Sequence, residues 1–287
     1  MNLASSQGLW RGLFGILGTG RNIGWLAVVE PYKAYLDETN IHDNAQWCFV
    51  AGHLGTEKQW EEFDGKWRQG LGRRKSLHMH DLQWRSKPDR ITRLLGRLGP
   101  IPDSCKLERI FGSAKGKHYL DIVSQRPELG ALFDPFTLAL WPCVIETLRH
   151  LPRTERVIFT FEHNTKYSPL LALIENSLAS EEIFTTPNGE QRAILVPIQK
   201  GMTPRTEPAD YLAFEMGQTQ IDHELKRKSF KAKAGASILG NHWMIGKQIS
   251  RDQIRAICAT TLALAHAQNV QMNKDIKEII KMSKTGR

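Results

Sequence analysis

Two adjacent carboxylates, Asp37 and Glu38, close a strand-like run that reads YKAYLDE from Tyr32. Carboxylate oxygens held where a strand leaves its sheet suit a hard cation such as Mg²⁺ or Mn²⁺. Three further segments carry comparable groups. The run LHMHDL (Leu77 to Leu82) holds His78, His80 and Asp81; if extended, it turns both histidines to one side and Met79 and Asp81 to the other. Glu162, His163 and Asn164 follow the apolar run RVIFTF. Asp210 sits in the first turn of a helix opened by Glu207-Pro208-Ala209, where the helix dipole favours an acid. Each has an ordinary alternative: a solvated strand end for the acids, a satisfied structural residue for each histidine. Taken together, several carboxylates gathered at one sheet edge repel one another, and a cation between them relieves that repulsion. Two divalent ions roughly 4 Å apart can activate water and steady a leaving oxygen at a phosphodiester.

The elements that must position these groups are legible as patterns. Trp47 to Ala51 (WCFVA) reads as a second strand antiparallel to the first. Thr56 and Gln59 form a capping box for a helix carrying Trp60, Phe63 and Trp67 through Leu71. Asp89 to Leu98 is a short helix with Ile91, Leu94, Leu95 and Leu98 as its apolar stripe, and Lys106 to Phe111 reads as a strand. Phe133 to Leu151 is a buried helix that Pro142 should bend or divide. Arg156 to Phe161 and Gln191 to Ile198 are further strands, with an amphipathic helix over Tyr167 to Leu178 between them. Ser250 and Gln253 form a second capping box, and a short lysine-rich helical pattern with Ile276, Ile279 and Ile280 ends the chain. Gly70 to Lys75 is a glycine- and arginine-rich break whose cations suit phosphate or simply a solvated turn.

The charge of +9 over 287 residues is unevenly placed. Residues 221–287 hold 13 Lys and Arg against 5 Asp and Glu, whereas residues 1–220 hold 26 against 25. The basic run Lys226, Arg227, Lys228, Lys231 and Lys233 is the candidate contact for a polyanion, of which nucleic acid is the commonest; the alternative is a solubilising tail. Four dispersed cysteines without a CxxC spacing point to reduced thiols in a cytoplasmic protein rather than a zinc or redox site. The apolar stretch from Leu13 to Val29 is interrupted by Arg21 and Asn22 and diluted by glycine, which argues against a membrane span or a signal peptide. No glycine-rich phosphate loop is present.

The order and spacing of these motifs, from about residue 32 to 220, resemble the family catalogued as domain of unknown function 3800. The matching residues are Tyr35-Leu36-Asp37-Glu38-Thr39, the strand Cys48 to Gly52, the Trp-rich helix Trp60 to Trp67, Leu77 to Leu82, and Glu207-Pro208-Ala209-Asp210-Tyr211-Leu212-Ala213. Thr39 stands where the family usually has Ser, and Glu207 where it more often has Gln. The resemblance implies a ribonuclease-H-like α/β fold, a mixed sheet flanked by helices. Residues 1–30 would be an extension, 31–220 the domain, and 221–287 a basic, mainly helical C-terminal section. It also implies nuclease activity, with Asp37 as first-strand acid, Glu162 as middle-strand acid and Asp210 as last-helix acid. The expected function is therefore hydrolysis of DNA or RNA with Mg²⁺ or Mn²⁺ held by Asp37, Glu162 and Asp210. Glu38, His78 and Asp81 would complete the shell or move protons. Two other readings stay open: a non-catalytic nucleic-acid-binding protein, and a metallohydrolase centred on His78, His80, Asp81 and His163.

Overall fold

Strand β1 (Tyr32–Thr39) is the centre of the sheet, as its alternation requires: Ala34 and Leu36 are fully buried on one side, while Tyr35 and Asp37 take the other. The computed structural model describes residues 30–39, 45–82, 87–123, 129, 133–162, 182–224 and 244–267. Strand β2 (Trp47–Gly55), buried throughout, pairs antiparallel with β1, and β3 (Glu108–Lys115) pairs antiparallel with β2. On the other side of β1, β4 (Val157–Glu162) and β5 (Ala193–Ile198) add in parallel. A sixth strand, β6 (Met244–Gln248), runs parallel to β3. The result is an α/β architecture with a six-stranded mixed sheet in the order β5-β4-β1-β2-β3-β6.

Helices cover both faces. Helix α1 (Glu57–Leu71) starts at the Thr56–Gln59 capping box and buries Trp60, Phe63 and Trp67. It packs against α2 (Pro88–Leu98), whose four apolar residues are buried as their spacing predicts. The short α3 (Pro100–Ser104) leads into β3, and α4 (Gly116–Ile122) leaves it. Helix α5 (Pro135–His150) lies on the opposite face. It approaches β3 so closely that a Cβ on Gly112 would sit 2.0 Å from the Ala139 carbonyl oxygen. Helix α6 (Glu207–Glu224) lies across β1 and β2 on the α1 face, and α7 (Arg251–Ala267) begins at the Ser250–Gln253 box.

Several expectations are corrected. Pro142 does not divide its helix: α5 runs unbroken through it, because most of its length is buried on both sides and the packing outweighs one missing hydrogen bond. The third strand starts at Glu108 rather than Lys106, since Lys106 has a left-handed φ of 58° and makes the turn after α3. Among the described residues after 220, the end of α6 and helix α7 are joined by one strand, β6, that extends the sheet. The segment Leu77 to Leu82 is not extended. Met79–Asp81 forms a 3₁₀ turn with Met79 buried, so His78 and His80 do not share a face. Residues 1–29, the Tyr167–Leu178 helix, His163, the Lys226–Lys233 run and the pattern around Ile276 lie outside the described residues. All four cysteines are buried. Among the described residues no helix is long and apolar enough to cross a membrane.

Candidate acidic cleft

Strand register brings the first two acids together. Leu36 of β1 pairs with Phe161 of β4, so the next residue on each parallel strand, Asp37 and Glu162, are neighbours at the strand ends. Alternation assigns both to the α6 face, because Leu36 and Phe161 belong to the core beneath α5. Helix α6 then sets Asp210 above them. Asp37, Glu162 and Asp210, from three separate elements, line one small cleft of about 100 Å³ with Ser76, Leu77, His78, Lys200 and Glu207.

The cleft wall is fixed by carboxylates acting as acceptors. Asp210 Oδ2 lies 2.7 Å from His78 Nδ1 and accepts the Met79 backbone N–H at 2.8 Å. Those two bonds curl the segment into its turn. Glu207 Oε2 accepts the Trp67 indole N–H at 2.7 Å and the Leu77 N–H at 2.9 Å, tying α6 to α1 and to the cleft wall. Its carboxyl is raised above the usual range by burial, against those two bonds. Glu162 has Lys200 Nζ at 3.7 Å and receives the Gly201 N–H at 3.4 Å.

Asp37 sits at the electrostatic focus. Burial pushes its carboxyl well above the ordinary carboxylate range, and the charges of Glu38, Asp210 and Glu162 push the same way; the Glu38 N–H, donated at 2.8 Å, opposes them. The anionic form of Asp37 thus lacks a counter-charge, which a cation would supply. Among the described residues no three His, Cys, Asp or Glu side chains form a group that holds an ion by itself.

Glu38 takes the opposite face of β1, on the side of Asp134 and Cys48, and does not line the cleft. Its Oε2 is buried without a hydrogen-bond partner. Burial and the charge of Glu162 raise its carboxyl to about 7, against the opposing effects of Asp37 and Lys200. Because the folded value exceeds the ordinary one, the native state holds the proton more tightly. That contribution is complete below about pH 4.5 and disappears as pH rises through about 7. Glu38→Gln, neutral throughout, is expected to stabilise the protein by about 1–3 kcal/mol near pH 8 and much less near pH 5. Urea midpoints at both pH values measure this, and an equal gain at both would contradict it.

Asp81 and His80 stand apart from the cleft. Their side chains are 71% and 93% exposed and 3.5 Å from each other. The histidine-centred reading therefore loses His80 and Asp81 as partners of His78. Sequence reasoning missed Lys200, Gly201 and Glu207 as parts of the site. Lys200-Gly201 follows the end of β5, the same signal that marked Glu162 after β4, whereas the anchoring of Glu207 by Trp67 and Leu77 had no local signature. No protein-family model matches the chain, and no curated protein matches it.

Proposed function

We propose that the cleft is the centre of a divalent-metal-dependent phosphodiester hydrolase acting on DNA or RNA, built on a ribonuclease-H-like sheet of the kind found in the domain of unknown function 3800 family. The observation that carries the reading is the convergence of Asp37, Glu162 and Asp210, separated by 125 and 48 positions in the chain, on one cleft. Three consecutive antiparallel strands with β4 parallel to β1 put a first-strand acid, a middle-strand acid and a late-helix acid side by side, which is the disposition the resemblance implies.

The donor set fits Mg²⁺ or Mn²⁺. Asp37, Glu162 and Asp210 offer hard oxygens; burial raises Asp37 most, and the repulsion from its acidic neighbours that adds to it is what a cation relieves. Mg²⁺ commonly takes only one or two protein carboxylates and completes its shell from water and substrate phosphate, so a partial set suffices. When bound, the ion supplies Lewis-acid polarisation of a phosphoryl oxygen and an activated water. The chain's own groups do the rest. Asp210 orients the His78 ring through Nδ1, leaving Nε2 as the atom to take or give a proton in the cleft. Lys200, whose ammonium is well exposed beside Glu162, offers positive charge to a phosphate at the cleft mouth.

A second reading follows from one observation: Asp210 Oδ2 already serves His78 and the Met79 amide, as a purely structural acid would. The same fold would then bind nucleic acid without cutting it. Incubation of the purified protein with labelled DNA and RNA decides between them. Cleavage that needs Mg²⁺ or Mn²⁺ and stops with a chelator is expected, and salt-sensitive binding without cleavage under either ion would establish the second reading.

A further inference from the structure

We infer that the arginine face of α2, together with Arg73, Arg74 and Lys75, is a phosphate-backbone track along which a nucleic-acid strand lies beside the acidic cleft. This deepens the function proposed above and rests on it for the kind of polyanion. The near balance of charge over the first 220 residues conceals a local excess: residues 68–97 hold nine Lys and Arg against two Asp. Arg90, Arg93 and Arg97 recur at helical spacing, so they fall on one face of α2, and all three are exposed. Arg73, Arg74 and Lys75 are exposed in the turn that leads directly into the cleft residues Ser76 to His78.

None of these six cations forms an ion pair among the described residues. Exposed arginines elsewhere do: Arg149 pairs with Glu146, Arg153 with Glu182, Arg156 with Glu190 and Arg251 with Asp121. Arg73, Arg74 and Lys75 thus bring unneutralised charge directly up to the cleft residues Ser76 to His78. The core links α2 to the same cleft wall. The buried stripe of α2 shares one apolar cluster with Leu77 and Met79, and the Met79 amide binds Asp210.

Arginine forks match phosphate oxygens in pairs. From Arg90 to Arg97 the helix rises about 10.5 Å, or about three steps of 3.4 Å along one strand of B-form DNA. An anionic membrane is the weaker match. A helix that lies on lipid buries its apolar face there. The apolar face of α2 is already in the protein core, and the only exposed large hydrophobics among the described residues are Leu120 and Met202, on other segments.

The test is fluorescence anisotropy with a short labelled oligonucleotide, single-stranded and duplex, across a salt series. Wild type is compared with Arg90→Gln/Arg93→Gln/Arg97→Gln, leaving Lys226–Lys233 intact. Removing three phosphate contacts should flatten the plot of log affinity against log salt by about 2–3, at 0.7–0.9 per contact. Affinity should fall at least tenfold at low salt, and the unfolding midpoint should stay unchanged. An unchanged slope in the arginine variant overturns the inference, and so does the absence of oligonucleotide binding by wild type, with or without binding to anionic vesicles. Arginine-dependent binding without cleavage under Mg²⁺ or Mn²⁺ would leave the track standing and remove the hydrolase reading. Cleavage and binding that persist in the arginine variant would remove the track alone.

Discussion

Asp37→Asn and Asp210→Asn are each expected to reduce Mg²⁺-dependent cleavage by at least about 10³-fold, the equivalent of the several kcal/mol that a bound ion contributes to a phosphoryl-transfer barrier. The two acids reach the cleft by different routes, one from β1 and one from α6, so a shared loss would tie distant parts of the chain to one centre. The double variant should be scarcely worse than either single one, since groups that act as a unit are not additive. Asp210→Asn carries a second consequence. It weakens the acceptor for His78 Nδ1 and the Met79 amide, so part of its effect comes from the wall of the cleft. Asp37→Asn removes a charge that its neighbours already oppose, and the fold should tolerate it or gain slightly. Stability separates the two: Asp210→Asn should lower the unfolding midpoint and Asp37→Asn should not. Cleavage within tenfold of wild type in both variants would refute the role assigned to these acids.

The largest effect on stability is expected from Arg205→Ala. Its guanidinium donates to Asp64 at 2.8 and 3.0 Å, to Glu57 at 3.0 and 3.1 Å, and to the Tyr35 hydroxyl at 3.3 Å. It also lies over the Tyr35 and Trp60 rings, at 5.7 and 5.9 Å. Only 11% of its side chain is exposed. Truncation leaves two partly buried carboxylates, with Lys33 still paired to Glu57, and removing one member of such a buried network costs about 3–5 kcal/mol. Arg205→Lys keeps the charge but cannot reproduce the fork, and should recover only part of the loss. Arg205 also sits in the 3₁₀ turn (Pro204–Thr206) that runs straight into Glu207 and Asp210. Its loss should therefore loosen the cleft even where the protein stays folded. Denaturant unfolding measures the first effect, and a loss below about 1 kcal/mol would show that the network is worth no more than a surface ion pair.

Local chemistry made much of this fold readable. The alternation of β1, both capping boxes and the stripe of α2 are short-range patterns, and each forms as its residues dictate. The acids Asp37, Glu162 and Asp210 were marked by their position at element ends, and register then placed them together. What escaped was set by long-range packing. β6 is five residues with a glycine at Gly246, too short to carry a period, and it becomes a strand only because β3 offers an edge. The turn at Met79 depends on a carboxylate more than a hundred positions away, so LHMHDL taken alone suggests an extended segment. Pro142 argues for a helix break that burial of α5 overrides. Arg205 had no local signal at all, since its partners lie on β1 and α1. The arginine face of α2 was hidden differently: averaging charge over a long stretch cancelled it against acids placed elsewhere.

Calorimetric titration of Mn²⁺ into the protein with a non-cleavable oligonucleotide analogue present tests the central claim most directly. Supplying the phosphate provides ligands that a partial carboxylate set lacks. Binding in simple stoichiometry to wild type, lost in Asp37→Asn/Asp210→Asn while the oligonucleotide still binds, is the result the acidic cleft predicts. Equal Mn²⁺ binding in both proteins, or none in either with the oligonucleotide bound, would contradict it.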